Sequence, residues 1–123
     1  MKALRTVMLI LAIAQAALAV FAALAGAFAD GGDTWSRLLL ILIHPLCAAA
    51  LLLLVLLPRP GTATVLAVAA LLVANVGADL YTALMIWQGG LRGDWWLPTI
   101  FAVIPAIGIV YALTVSRMQS QPD

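Results

Sequence analysis

The 123-residue sequence contains no glutamate, one cysteine and one histidine, and only 9% of its residues are charged. Each scarcity excludes a class of protein. Soluble domains carry roughly a quarter charged residues, so a chain this poor in charge and 66% hydrophobic lacks the residues to cover a water-facing surface. The lone Cys47 permits no internal disulfide, no redox pair and no thiolate cage for a metal. The lone His44 rules out a bis-histidine haem site within one chain. Six Lys and Arg against five Asp give a formal net charge of +1, which is no footprint for nucleic acid. A Walker loop, a G-x-G-x-x-G turn, a G-x-S-x-G elbow, an H-E-x-x-H pair and paired carboxylates are all missing. The sequence therefore offers no catalytic residue, no metal site and no cofactor motif, and an enzyme is the least favoured class.

What the chain does have is leucine and alanine, 24 of each. A bilayer core about 30 Å thick takes about 20 apolar residues per helix, so this length allows four crossings with short connections. Four apolar runs fit, at about 7–29, 38–57, 62–87 and 97–116. They are separated by Asp30-Gly31-Gly32-Asp33, Pro58-Arg59-Pro60-Gly61 and Gln88-Gly89-Gly90, all turn chemistry. None of the runs alternates as a barrel strand would. The expected fold is an all-α membrane protein, a single four-transmembrane-helix bundle running up-down-up-down.

Lys2, Arg5, Arg59 and Arg117 fall on one side of that bundle, and Arg37 and Arg92 fall on the other, diluted by Asp30, Asp33 and Asp94. The bias of cytoplasmic loops toward Lys and Arg then puts both termini in the cytoplasm of a bacterial-type inner membrane. Trp35, Trp87, Trp95 and Trp96 all fall at the outer boundary, where indoles anchor at the headgroup level. The basic start and Ala27-Phe28-Ala29 resemble a signal peptide, but a signal's apolar region runs about 7 to 15 residues. This one runs about 23, so a retained helix is expected.

Ten of the eleven charges lie at ends or in loops, and Asp79 alone is stranded at depth. An ionisable side chain there is costly unless paired, neutralised or wetted. Asp79 lies about 13 Å below the outer end of the third helix and His44 about 9 to 13 Å below that of the second, at 1.5 Å per residue. The two are thus expected to hydrogen-bond or ion-pair. Asn75, Asp79 and Thr82 are spaced i, i+4, i+7 and form one polar stripe. Gln15 and Asn75 sit about 21 and 18 Å from the outer ends of their helices by the same rise, a match that suggests a bond between them. Tyr81 adjoins the stripe in sequence. These six residues are the candidates for holding an ion, a proton or a substrate.

Pro45 and Pro105 lie within the second and fourth runs and mark hinge candidates, since each removes a backbone donor. Small residues recur every four positions at Ala19, Ala23 and Ala27, at Ala70, Ala74 and Ala78, and at Gly108 and Ala112, a pattern that lets helices approach closely in lipid. An offset of 60 pairs Gln15 with Asn75, Trp35 with Trp95 and Pro45 with Pro105, as two tandem hairpins would. One function leads on these grounds, and a second stands as its alternative. The first is a packing subunit of a homo-oligomer or of a larger membrane complex, and the second a proton- or cation-coupled transporter or channel for a small solute, using Asp79 with His44. A membrane enzyme or a lipid- or quinone-binding protein is a weaker third.

Overall fold

Apolar runs punctuated by glycine and proline become helices. The computed structural model describes residues 2–24, 29–30, 34–90 and 92–120. It contains α1 (Lys2–Leu24), α2 (Thr34–Leu56), α3 (Thr62–Trp87), α4 (Trp96–Phe101) and α5 (Val103–Ser120). Its only extended backbone among the described residues is a two-residue antiparallel bridge, β1 (Ala29–Asp30) with β2 (Arg92–Gly93).

The bounds of α3 are those expected from the sequence, and its end has a local cause. Gly90 N–H donates to the Met85 carbonyl at 2.8 Å and Gly89 N–H to that of Ile86 at 3.1 Å, with Gly89 at φ 86°. This is a Schellman stop, which wants a residue with no Cβ in the left-handed region. The other helices depart from expectation. The first begins at Lys2, five residues before Val7, and Ala29 lies in the bridge and not in a helix; residues 25–28 lie outside those described. The second begins at Thr34 and not Leu38.

Arg5 accounts for part of the longer first helix. Its Nε donates to the Val55 carbonyl at 2.9 Å and its Nη2 to that of Leu56 at 3.0 Å. The last carbonyls of a helix have no partner within it and carry its negative pole. The cation of α1 thereby caps α2.

The fourth run is two helices, because the chain turns at Ala102. Pro105 has no N–H to give to the Phe101 carbonyl. It therefore sits in the first turn of α5, where a missing donor costs nothing, rather than at a mid-helix kink. Pro45 lies inside α2, which runs on without a break.

In packing, α1 lies on α2, α2 on α3, α3 on both α4 and α5, and α5 returns to α1. This ring leaves α1 and α3 diagonal to each other. Its core is Met8, Leu51, Leu54, Val65, Leu72 and their neighbours. Three helical stretches, Lys2–Phe21, Thr62–Trp87 and Trp96–Met118, are long and apolar enough to cross a membrane, and α2 adds the shorter apolar stretch Ile41–Leu56.

The two hairpins turn equivalent positions inward. Met8, Ala12, Gln15 and Ala19 are buried on α1, and Val68, Leu72, Asn75 and Asp79 are buried sixty positions later on α3. On α2 and α5 the match shifts by one residue, setting His44, Cys47 and Leu51 against Pro105, Gly108 and Ala112. Pro45 is exposed and Pro105 buried, so the alignment of those two prolines does not survive folding.

Candidate functional site

The centre of the bundle is built on α3. At 100° per residue, positions 75, 79 and 82 fall within about 60° of one another, and all three side chains are buried. Asp79 is 0% exposed. Tyr81 lies on the opposite side of the helix and is 63% exposed, so the structure separates it from the other five candidates. The Thr82 hydroxyl donates to the Ala78 carbonyl at 2.8 Å, a bond within its own helix that spends its proton there.

From α2, His44 reaches Asp79, with Nε2 2.6 Å from Oδ1. When the carboxyl is ionised, the imidazole N–H is the donor. One turn further along α2, the Cys47 thiol donates to the Leu71 carbonyl at 3.2 Å, holding α2 against α3 beside the pair. With a doubly protonated imidazole against a carboxylate, or a neutral imidazole against a carboxylic acid, the pair carries no net charge. That is how two ionisable groups tolerate burial together.

Two phenylalanines that no spacing in the sequence singled out adjoin this pair, one against the imidazole and one behind it. The Phe101 ring meets His44 edge-on, with centroids 6.0 Å apart at 82°. Phe21 of α1 stacks on Phe101 at 6.3 Å and 22°. The turn at Ala102 places Phe101 there: Ala102 N–H donates to the carbonyls of Pro98 and Thr99, and Ala106 N–H to that of Ala102. A tertiary turn chose the contact, and no local pattern announces it.

Gln15 and Asn75 are both buried, at equivalent positions of α1 and α3, but the hydrogen bond expected between them is absent. Both polar atoms of each amide lack a partner among the described residues, and so does Asp79 Oδ2. The cause is the ring order of the helices, which sets α1 and α3 diagonally across the bundle. Leaving a buried polar group unmet costs about 1 to 3 kcal/mol. Five such atoms on three side chains make this interior a place where small polar or charged species are favoured over more hydrocarbon. Its oxygens are Asp79 Oδ2, Asn75 Oδ1 and Gln15 Oε1, and its donors are the two amide nitrogens.

Comparison of the chain with protein-family models, with curated proteins and with solved structures gives no match. Its chemistry therefore has to be read from its own residues.

Among the described residues no three His, Cys, Asp or Glu side chains group as a multidentate metal site would require. The donor set suits a proton, a water-borne proton or a weakly bound monovalent ion. Two cavities accompany it. One, of about 420 Å³, is an apolar groove lined by α1 and α2 residues that include Ala16, Ala19, Pro45 and Ala48. The other, of about 300 Å³, lies at the far end, beside Lys2 and Arg5. Neither is lined by Asp79.

The aromatic rim lies at the other end of α3. Trp87 and Trp95 meet edge-to-face, with centroids 5.4 Å apart at 89°, and both, with Trp96, are exposed. Trp35 is in α2, its side chain outside what is described.

Proposed function

We propose that the protein is a small multi-pass membrane protein that binds a proton or monovalent cation at Asp79 and His44 and couples its passage to a small solute. The observation that carries this reading is the buried Asp79–His44 contact, set in an interior where five polar atoms have no partner among the described residues. Ionisable groups at such depth mark ion or proton pathways by default. A bundle whose polar residues served packing alone would leave none of them unmet.

In this reading the termini are cytoplasmic and the protein resides in a cell membrane. The clustering of charges at the two ends supports that orientation. Lys2 and Arg5 share a cavity with Pro58, Pro60 and Met118, whereas the bridge joins Asp30 to Arg92 at the end that carries the tryptophans.

The test is proton entry into liposomes, reported by a trapped pH dye. Wild-type protein is expected to acidify the lumen under a pH gradient, and Asp79→Asn, which keeps the shape and removes the carboxyl, is expected to abolish that flux. Equal flux through both proteins removes Asp79 from the mechanism.

One observation favours the second reading, a packing subunit of a homo-oligomer or larger membrane assembly. Ala63, Ala67, Ala70, Ala74 and Gly77 follow a heptad spacing down α3, and every one faces outward. Smooth faces of this kind let two helices approach closely in lipid. On this reading Ala74→Leu shifts the native mass in mild detergent from oligomer to monomer while the helical circular dichroism is unchanged. A wild-type mass already monomeric at every concentration would leave that face to lipid.

A further inference from the structure

We infer that the protein carries a second site, at the end of the bundle opposite the tryptophan rim, which takes the phosphate of an anionic lipid headgroup. The cavity of about 300 Å³ there is lined by Lys2 and Arg5, by Tyr111 of α5 and by the apolar Leu57, Val115 and Met118. No part of it belongs to the Asp79 site, and it requires only that the chain sits in a membrane.

The chemistry of the lining is that of an anionic amphiphile. Among the described residues no carboxylate pairs with Lys2 or Arg5. Arg5 spends its Nε and one Nη2 proton on the α2 carbonyls. Of five guanidinium N–H groups, three are left, and their plane is held still by those two bonds. A guanidinium fixed in that way, an ammonium and a phenol hydroxyl supply charge-assisted donors for phosphate oxygens. Leu57, Val115 and Met118 supply hydrocarbon for the glycerol and the first methylenes of an acyl chain. A soluble metabolite phosphate has no use for those three side chains. Basic pockets at the cytoplasmic end of transmembrane helices bind anionic headgroups for the same reasons.

The experiment is native mass spectrometry of the full chain released from detergent, titrated with phosphatidylglycerol, phosphatidylcholine or inorganic phosphate. One phosphatidylglycerol per chain is expected to be retained in preference to phosphatidylcholine, and millimolar inorganic phosphate is expected not to displace it. Lys2→Gln is expected to weaken retention about fivefold, the worth of one basic residue at such a surface, and Tyr111→Phe to weaken it by a similar factor. Arg59 is exposed and outside the cavity, so Arg59→Gln is expected to change nothing. Equal losses from Lys2→Gln and Arg59→Gln would mean a diffuse basic surface and overturn the site. Equal retention of the two lipids overturns it as well, and displacement by inorganic phosphate overturns the lipid assignment. None of these outcomes bears on proton flux through Asp79, so the two proposals fail separately.

Discussion

His44→Leu is expected to destabilise the bundle by about 3 kcal/mol, and a second change, Asp79→Leu, is expected to recover most of that loss. Among the described residues Asp79 Oδ2 has no partner, and the imidazole is the only one that Oδ1 has. Removing His44 therefore leaves an entire carboxyl group buried and unmet. Breaking a buried pair from one side costs about 3 to 5 kcal/mol, whereas replacing both members with apolar residues is often close to neutral. The cost stays near the lower end of that range because a lone carboxyl can stay protonated and neutral. Unfolding of the detergent-solubilised protein by sodium dodecyl sulfate, followed by circular dichroism, reads all four members of the cycle. Additive losses in the double variant would show that the 2.6 Å contact is not energetically coupled. The cycle also separates stability from function: the double leucine variant is expected to fold and to pass no protons.

Gly108→Val is expected to cost about 3 kcal/mol, the upper part of the range for overpacking a tight core. A Cβ at position 108 would stand 3.0 Å from Leu72 Cδ1 and 3.2 Å from Leu51 Cδ1. Those atoms are ends of flexible side chains, so Gly108→Ala is expected to stay within about 1 kcal/mol as the two leucines yield. The two further methyls of valine have nowhere to go, because Leu51 and Leu72 are themselves fully buried. Their displacement would push α5 away from α2 and α3 and move Phe101 off His44. The same detergent titration measures it, and a valine variant as stable as the alanine variant would show that the helices can separate freely. Alanine at this position is also a better helix former than glycine, which bounds its cost from the other direction.

The helices and the inward stripe were legible in the sequence because both are local. Asn75, Asp79 and Thr82 share a face by the arithmetic of one helix, and Gly89-Gly90 ends α3 by the geometry of one turn. His44 and Asp79 could be matched by depth because their helices are adjacent in the chain and joined by a short turn, which ties the two rises together. Gln15 and Asn75 matched in depth as well and yet do not bond. Depth is one coordinate of three, and it is silent on which helices are neighbours. Tyr81 adjoins the stripe in sequence and not in space, because two residues along a helix is a rotation of about 200°.

Composition and periodicity by themselves determined that this chain is helical and suited to a membrane, that α3 spans Thr62–Trp87, and that Asp79 is its one deeply placed charge. Those properties depend on one segment at a time. Only the tertiary structure decided that α1 and α3 are diagonal, that Arg5 caps α2, that Phe101 meets His44 with Phe21 stacked behind it, and that five polar atoms have no partner among the described residues. Each of these depends on the rotation of one helix against another. That rotation is set by close contacts such as Gly108 against Leu72 and Leu51 and Cys47 against the Leu71 carbonyl, and it leaves no periodic trace in the sequence.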